Sequence, residues 1–272
     1  MNLYYQWEAW AYSNITALEG EKLLWLNGTK IIWLETFDQV WEKIGEWHIG
    51  VLPIENSYAW PIHANLFAFG RYEASIIGTY NLPIHHCLLS REDDISKVKT
   101  AISHPQALDQ CYNFFKNNDI VAKKFYDTAW AAKYIAETGE RGIASISSKL
   151  AASIYGLNIL QEAIEDQEGN TTRFLIVCLT SEKEKYHYAL KKWKVSLMFE
   201  ARNIPASLYK CLGAFATNGV NLTKIENLPS FGRPFTSIFW VDFEGSLQDE
   251  RVKKTLEELE FFTSDIRILG EY

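Results

Sequence analysis

The chain has 272 residues, 47% apolar and 22% charged, enough for one large or two modest globular domains with a sizeable core. Its net charge of −7 and isoelectric point near 5.5 offer no basic stripe to a phosphate backbone, which excludes nucleic acid as a partner. Cys87, Cys111, Cys178 and Cys211 are scattered, with no CxxC pair and no histidine at ligand spacing, so neither a metal site nor a disulfide framework is expected. The opening segment Met1-Asn2-Leu3-Tyr4-Tyr5-Gln6 lacks a charged and then apolar leader, and no apolar run approaches ~18 residues. The expectation is a cytoplasmic chain that is neither secreted nor membrane-spanning, with reduced, mostly buried thiols.

In chain order, a helical pattern over 38–44 precedes an apolar strand over 49–54 that ends at Glu55-Asn56-Ser57. Strands are expected over 74–80, 85–90, 99–103 and 174–179, with helices over 106–117, 129–137 and 147–155. The alternation predicts an α/β architecture with a largely parallel sheet. Ligands in such folds sit at the carboxyl ends of strands, where Glu55-Asn56-Ser57 falls and where Thr128 and Ser145 are also placed. The charged run 181–185 reads as a linker, cut by proteases near 181–186. Beyond it come strand 195–200, helix 205–218, strands 220–228 and 237–244, helix 249–262 and strand 265–269. That βαββαβ order is ferredoxin-like. The domains are therefore expected over 1–180 and 190–272.

Two segments carry candidate chemistry. Asn170-Thr171-Thr172-Arg173-Phe174 opens the last strand of the first region, and Gly50-Val51-Leu52-Pro53-Ile54-Glu55-Asn56-Ser57 spans the first. Both set hydroxyl, amide and guanidinium groups at a strand edge, where donors converge on a small anion. By themselves the residues have a second reading, with Arg173 in a structural ion pair and Glu55 a structural hydrogen-bond acceptor. Ser103-His104-Pro105-Gln106 opens a helix, with Ser103 a plausible cap and Pro105 in the first turn, and Asp127-Thr128-Ala129 opens another. The vicinal His85 and His86 fall on a predicted strand, whose alternation sends them to opposite faces and argues against chelation.

Taken together these motifs resemble the prephenate dehydratase family, and the likeness runs on through Tyr155-Gly156-Leu157 to the C-terminus, where Asn221-Leu222-Thr223-Lys224-Ile225-Glu226 is similar to an ACT regulatory domain. The resemblance implies a two-lobed, periplasmic-binding-protein-like catalytic region followed by the ACT domain. It implies decarboxylating dehydration of prephenate to phenylpyruvate in L-phenylalanine biosynthesis, with no cofactor. Thr172 is then the donor at the leaving hydroxyl, Arg173 the carboxylate clamp and Phe174 the wall against the ring. Glu55, Asn56, Ser57, Ser103, Gln106 and Thr128 are the implied substrate-binding residues. An L-phenylalanine effector site would use Asn203, Pro205, Ala206, Ser207, Leu208 and Glu226. Here Ala206 replaces the family's glycine and Asn227-Leu228 replaces Ser-Arg, so weak or absent inhibition is expected. The apolar strand Ile238-Phe239-Trp240-Val241 would be costly as an exposed edge, and a homodimer or homotetramer is expected.

Tyr5-Gln6-Trp7-Glu8-Ala9-Trp10-Ala11-Tyr12-Ser13 stands where the family reads Tyr-Gln-Gly-Glu-x-Gly-Ala-Tyr-Ser, and Trp60 and Trp130 also stand at glycine positions. Taken literally, four such rings should obstruct the cleft. Three accounts are open: divergence into an inactive or repurposed binding protein, rings that point outward and spare the pocket, or UGA codons read as glycine in the source. The 15 glycines in 272 residues fall short of the ~7% of average usage, and four more would restore it. Arogenate is the close alternative substrate. A non-catalytic aromatic amino-acid sensor is the alternative if Trp7, Trp10, Trp60 and Trp130 block the cleft.

Overall fold

The computed structural model describes residues 1–7, 11–24, 26, 28–59, 61–126, 128–186, 193–230 and 236–272. The chain begins with β1 (Asn2–Gln6), α1 (Tyr12–Leu23), β2 (Lys30–Leu34), α2 (Phe37–Lys43), β3 (His48–Asn56), α3 (His63–Ala68) and β4 (Ala74–Pro83). It then crosses to a second lobe made of β5 (Cys87–Ser90), β6 (Thr100–Ser103), α4 (Pro105–Asp109), α5 (Tyr112–Asn117), β7 (Val121–Lys124), α6 (Thr128–Thr138), β8 (Ile143–Ser147), α7 (Lys149–Tyr155) and β9 (Asn158–Gln161). β10 (Thr171–Leu179) returns to the first lobe, whose sheet order is β2-β1-β3-β10-β4; the second lobe's order is β7-β6-β8-β5-β9.

Neither sheet is as parallel as the sequence suggested. β1 runs parallel to β2 and β3, but β10 is antiparallel to both β3 and β4; β5 is likewise antiparallel to β8 and β9. The reason lies in the two crossings. β3, β4, β6 and β8 all end at the gap between the lobes, and a strand entering a sheet from that gap must run the other way. The crossing segments pair with each other, Ile84 N–H on the Asn170 carbonyl (2.7 Å) and Ile164 N–H on the His86 carbonyl (3.1 Å). His85 and His86 therefore belong to the crossing, not to a strand as expected.

β10 is buried on both faces, which is why its sequence is a continuous apolar run. Phe174 and Ile176 pack with Leu3, Tyr5, Ile49 and Val51 on the α1 side, whereas Leu175 and Val177 pack with Tyr4, Leu52 and Ile54 on the other. A fully buried side chain of this size contributes about 1.5–3 kcal/mol.

The C-terminal region is β11 (Lys194–Ala201), α8 (Ser207–Thr217), β12 (Leu222–Pro229), β13 (Ser237–Glu244), α9 (Glu250–Glu260) and β14 (Thr263–Glu271), an antiparallel sheet of order β12-β13-β11-β14 in the expected ACT-like βαββαβ arrangement. Its odd-numbered residues Val195, Leu197, Phe199, Val241 and Phe243 form a core with α8 and α9. The opposite face, with Met198, Trp240, Leu269 and Tyr272, joins the core of the first lobe. Trp240 stands edge-on to Phe69 at 5.1 Å, and Arg267 donates to the carbonyls of Phe69, Tyr72 and Ala74. A side chain at Gly270 would run into the Ile76 carbonyl, so glycine there lets β14 approach β4.

Two expectations are corrected by this packing. Ile238-Phe239-Trp240-Val241 lies in β13, a central strand whose faces are already covered, so it gives no reason for a second subunit. Residues Thr180–Lys185 form a 3₁₀ helix in which buried Glu182 accepts the Trp47 N–H at 3.0 Å, so this stretch is anchored rather than an open linker. The loop before α8 also differs from expectation. Ala206 adopts φ 59° and ψ 26°, the left-handed conformation that glycine takes without penalty. Ala206→Gly is expected to stabilise the protein by about 0.5–1 kcal/mol, read as a rise of a few degrees in thermal midpoint; an unchanged or lower midpoint would contradict this.

Candidate active site between the lobes

A cavity of about 250 Å³ lies between the lobes. The first sheet supplies Thr172, Phe174, Pro53 and Asn56; the start of α1 supplies Tyr12 and Ser13; α4 and its cap supply His104, Gln106 and Ala107, followed by Gln110; α6 supplies Thr128. Ile84 and His86 come from the crossing. A wider depression of about 620 Å³ shares Ala59, His104, Gln106 and Gln110 with it and forms its mouth, with acidic Asp109, Glu165 and Asp166 on the rim.

Thr172 is held from the neighbouring strand. It pairs with Asn56 in the β10–β3 ladder, and Asn56 Nδ2 donates to Thr172 Oγ1 at 3.0 Å and to Asn170 Oδ1 at 2.7 Å. Oγ1 thus accepts a bond where Thr172 lines the cavity, and its own hydrogen has no acceptor among the described residues. Asn56 Oδ1 accepts the Tyr58 N–H at 3.0 Å, so Asn56 orients Thr172 more than it faces a ligand.

His86 is almost wholly buried. Its Nε2 lies 2.9 Å from Gln110 Oε1, and its Nδ1 is 3.2 Å from the Tyr12 hydroxyl, which also reaches the His85 carbonyl at 3.0 Å. Burial disfavours the imidazolium and lowers its pKa, despite Gln110 and Glu165, so His86 is neutral. Gln110 Nε2 is buried without a partner among the described residues, a donor aimed into a polar site. α1 begins at Tyr12 without a side-chain cap; Asn14 N–H bonds the Ala11 carbonyl at 2.9 Å, while the Tyr12 and Ser13 amides, at the cavity wall, have no partner among the described residues. No arginine or lysine is among the described residues lining the cavity. An anion here would be met by neutral donors and helix starts.

Several expected site residues lie elsewhere. Arg173 follows Thr172 on β10 and therefore points to the opposite face, where its Nη1 meets Glu55 Oε1 at 2.9 Å and Asp242 Oδ2 at 2.5 Å, and its Nη2 donates to the Tyr272 hydroxyl. It is no carboxylate clamp in this cleft; the ion-pair reading of those residues is the one the geometry matches. Glu55 shares that face, its Oε2 on Lys224 Nζ at 2.6 Å. Burial pushes the Glu55 carboxyl upward, but Lys224 and Arg173 outweigh it and hold its pKa below the ordinary value. Ser103 is fully buried and donates to the Ile146 carbonyl at 2.8 Å; the cap of α4 is His104, whose Nδ1 accepts the Gln106 N–H. Ser57 ties strand ends, donating to the Gly169 carbonyl (3.2 Å) and accepting the Thr171 N–H (3.0 Å). Ser145 is buried away from the cavity lining. Asp127 lies outside the described residues.

Asn203, Pro205, Ala206, Ser207 and Leu208 lie before and at the start of α8, on the helical side of the C-terminal sheet. Glu226 accepts from Lys224 at 3.1 Å and lies 3.7 Å from His63, so it faces the first lobe and does not meet that loop within one chain. Tyr12, Ser13, His86 and Gln110 were not expected. The signal for His86 was a polar residue in a crossing between two apolar strands.

Trp7 lines the cavity beside Phe37, ring centroids 6.3 Å apart, without filling it. Trp130, on α6, is 44% exposed and does not line the cavity. Trp10 and Trp60 lie outside the described residues. Trp7 has φ 75°, a glycine-favouring conformation. Trp7→Gly is expected to be more stable than Trp7→Ala by about 1 kcal/mol, since both lose the ring and only alanine keeps the backbone penalty. Equal denaturation midpoints would show that this φ carries no strain.

The fold and cleft define a two-lobed α/β protein with a cavity between its lobes and a ferredoxin-like module behind them. Residues 3–182 match the family described as prephenate dehydratase, and the chain belongs to that family. It is 39% identical over 235 residues to the prephenate dehydratase of Methanocaldococcus jannaschii, covering 86% of this chain and 84% of that protein. It is 37% identical over 258 residues to arogenate dehydratase/prephenate dehydratase 1, chloroplastic, of Arabidopsis thaliana, covering 88% of this chain but 64% of that protein. The chain thus spans about 64% of the length of such plant relatives. Among solved structures it resembles prephenate dehydratase in complex with L-Phe from Arthrobacter aurescens, with TM-score 0.81, 26% identity, and coverage of 100% of this chain and 89% of that one. It also resembles GqqA, described as a novel type of quorum quenching acylases, with TM-score 0.83, 29% identity, and coverage of 100% and 97%.

Proposed function

We propose that this chain is a prephenate dehydratase. Prephenate loses its ring carboxylate as carbon dioxide, the bonding pair enters the ring, and the ring hydroxyl departs with one proton as water, leaving phenylpyruvate. Aromatisation drives the step. The observation that carries the reading is the Thr172 hydroxyl, which accepts from Asn56 and keeps its own hydrogen for the leaving oxygen, beside the Phe174 wall. The open amides of α1, with Gln106, Gln110 and Thr128, offer donors to the carboxylates in place of Arg173. Buried neutral donors gain strength as water is excluded. No cofactor enters this reading.

The described lining of the inner cavity presents no acidic side chain to an ammonium group, which favours prephenate over arogenate. Phenylpyruvate formation from prephenate by the purified chain tests the reading, and parallel assays with arogenate decide the substrate. Binding of either without turnover would support the sensor instead.

We also infer a cytoplasmic homodimer or homotetramer. Among the described residues, β12 pairs only with β13 and leaves an open edge, and Tyr209 and Phe261 are exposed on the helical side. Sedimentation at micromolar concentration checks this, and a monomer would overturn it. L-phenylalanine is the proposed effector, bound weakly by the loop 203–208; strong inhibition at low phenylalanine would contradict the weakness.

A further inference from the structure

The cleft strands and the C-terminal sheet meet directly behind Thr172. In the β10–β3 ladder Thr172 opposes Asn56 and Arg173 opposes Glu55, so each strand turns one residue to the cavity and its neighbour to the rear. The ladder is irregular between Arg173 and Phe174, where backbone pairing constrains the strand least. There the C-terminal sheet takes hold of both rear residues. Glu55 is shared, Oε1 to Arg173 (2.9 Å) and Oε2 to Lys224 of β12 (2.6 Å). Arg173 reaches Asp242 of β13, and donates to Tyr272 beyond β14.

The cluster is closed by bonds within the C-terminal sheet. Asp242 Oδ1 accepts from Ser196 Oγ (2.5 Å) and Trp240 Nε1 (2.7 Å), and the Tyr272 hydroxyl lies 2.5 Å from Ser196 Oγ. One proton arrangement satisfies all of it: Arg173 donates to Tyr272, Tyr272 to Ser196, and Ser196 to Asp242. Asp242 is fully buried and Lys224 nearly so, with 0% and 9% side-chain exposure. A buried network of charges has few alternative arrangements, so it holds its members in one geometry.

Resting on the functional reading above, we propose that Glu55, Arg173, Lys224, Asp242 and Tyr272 are positioning residues through which the C-terminal sheet sets the Thr172–Asn56 pair at the cleft. A shift of ~1 Å at a reacting group can cost ~10²-fold in rate. The sheet is therefore part of what makes the cleft competent.

Two near-isosteric variants of the full chain test this. Lys224→Met removes one half of the grip on Glu55, and Tyr272→Phe removes one hydroxyl and no charge. Each is expected to lower kcat for prephenate roughly tenfold with KM within about twofold, in protein folded at the assay temperature. Lys224→Arg should restore kcat to within about threefold. Parental kcat in folded Tyr272→Phe would overturn the proposal, as would full activity in folded Lys224→Met. Should Lys224→Met fail to fold, Tyr272→Phe decides. A parent chain that turns over neither prephenate nor arogenate refutes the functional reading; amide exchange over residues 170–174 then decides the positioning claim, with faster exchange in Tyr272→Phe supporting it and unchanged exchange sinking it.

Discussion

Thr172→Ala is expected to lower kcat for prephenate by about 10²-fold or more while KM stays within about threefold. In the proposed reading the ground-state substrate would be held by donors spread over α1, α4 and α6, and the threonine hydroxyl would matter most as the ring oxygen departs with its developing charge. Asn56 keeps its place in the variant, since its amide also bonds Asn170 and the Thr171 carbonyl, so the cleft should not collapse. Thr172→Ser, which retains the hydroxyl, should recover much of the rate. Steady-state kinetics at matched fold, judged by circular dichroism, measures both. An alanine variant as fast as the parent would remove Thr172 from the mechanism.

Arg173→Met is expected to cost about 3–5 kcal/mol of stability, in addition to the loss of kcat expected of a positioning residue, because it leaves the buried Asp242 carboxylate without its cation and strips Glu55 of one partner. For a chain of this size that corresponds to a fall of roughly 10 °C in midpoint. Burial works against the guanidinium charge, yet Tyr272, Asp242 and Glu55 more than offset it and raise its pKa, so Arg173 stays charged throughout the accessible pH range. Whatever variant protein remains folded should show little change in KM, since the Arg173 guanidinium does not line the cavity. A large rise in KM with an unchanged midpoint would return Arg173 to the role of substrate clamp.

These two variants separate what was legible in the residues from what was not. The strand over 237–244 was placed to the residue, and the βαββαβ order was read with ends a few residues off, because apolar period and turn residues are local signals. Elsewhere local signals failed. The single helix expected over 106–117 is two, Pro105–Asp109 and Tyr112–Asn117, and Asp166 from the return crossing accepts the Asn113 N–H at the start of the second. Ser103 looked like a cap, but its strand register buries it and passes that role to His104.

The sequence by itself placed Thr172 and Arg173 together in the cleft, because the strand was expected to begin only at Phe174; the structure starts β10 at Thr171, so the two neighbours point to opposite sides. The sequence did determine that β10 is apolar on both faces and must be covered twice. Which face met the cleft was decided only by tertiary structure. Asp242 and Tyr272 lie 69 and 99 positions from Arg173, and Lys224 lies 169 from Glu55. No local pattern encodes those partners, because they come together only when the C-terminal sheet docks its second face on the first lobe. That docking turned an arginine that looks like an anion clamp into an interdomain anchor, and left the cleft to hydroxyls, amides and helix starts.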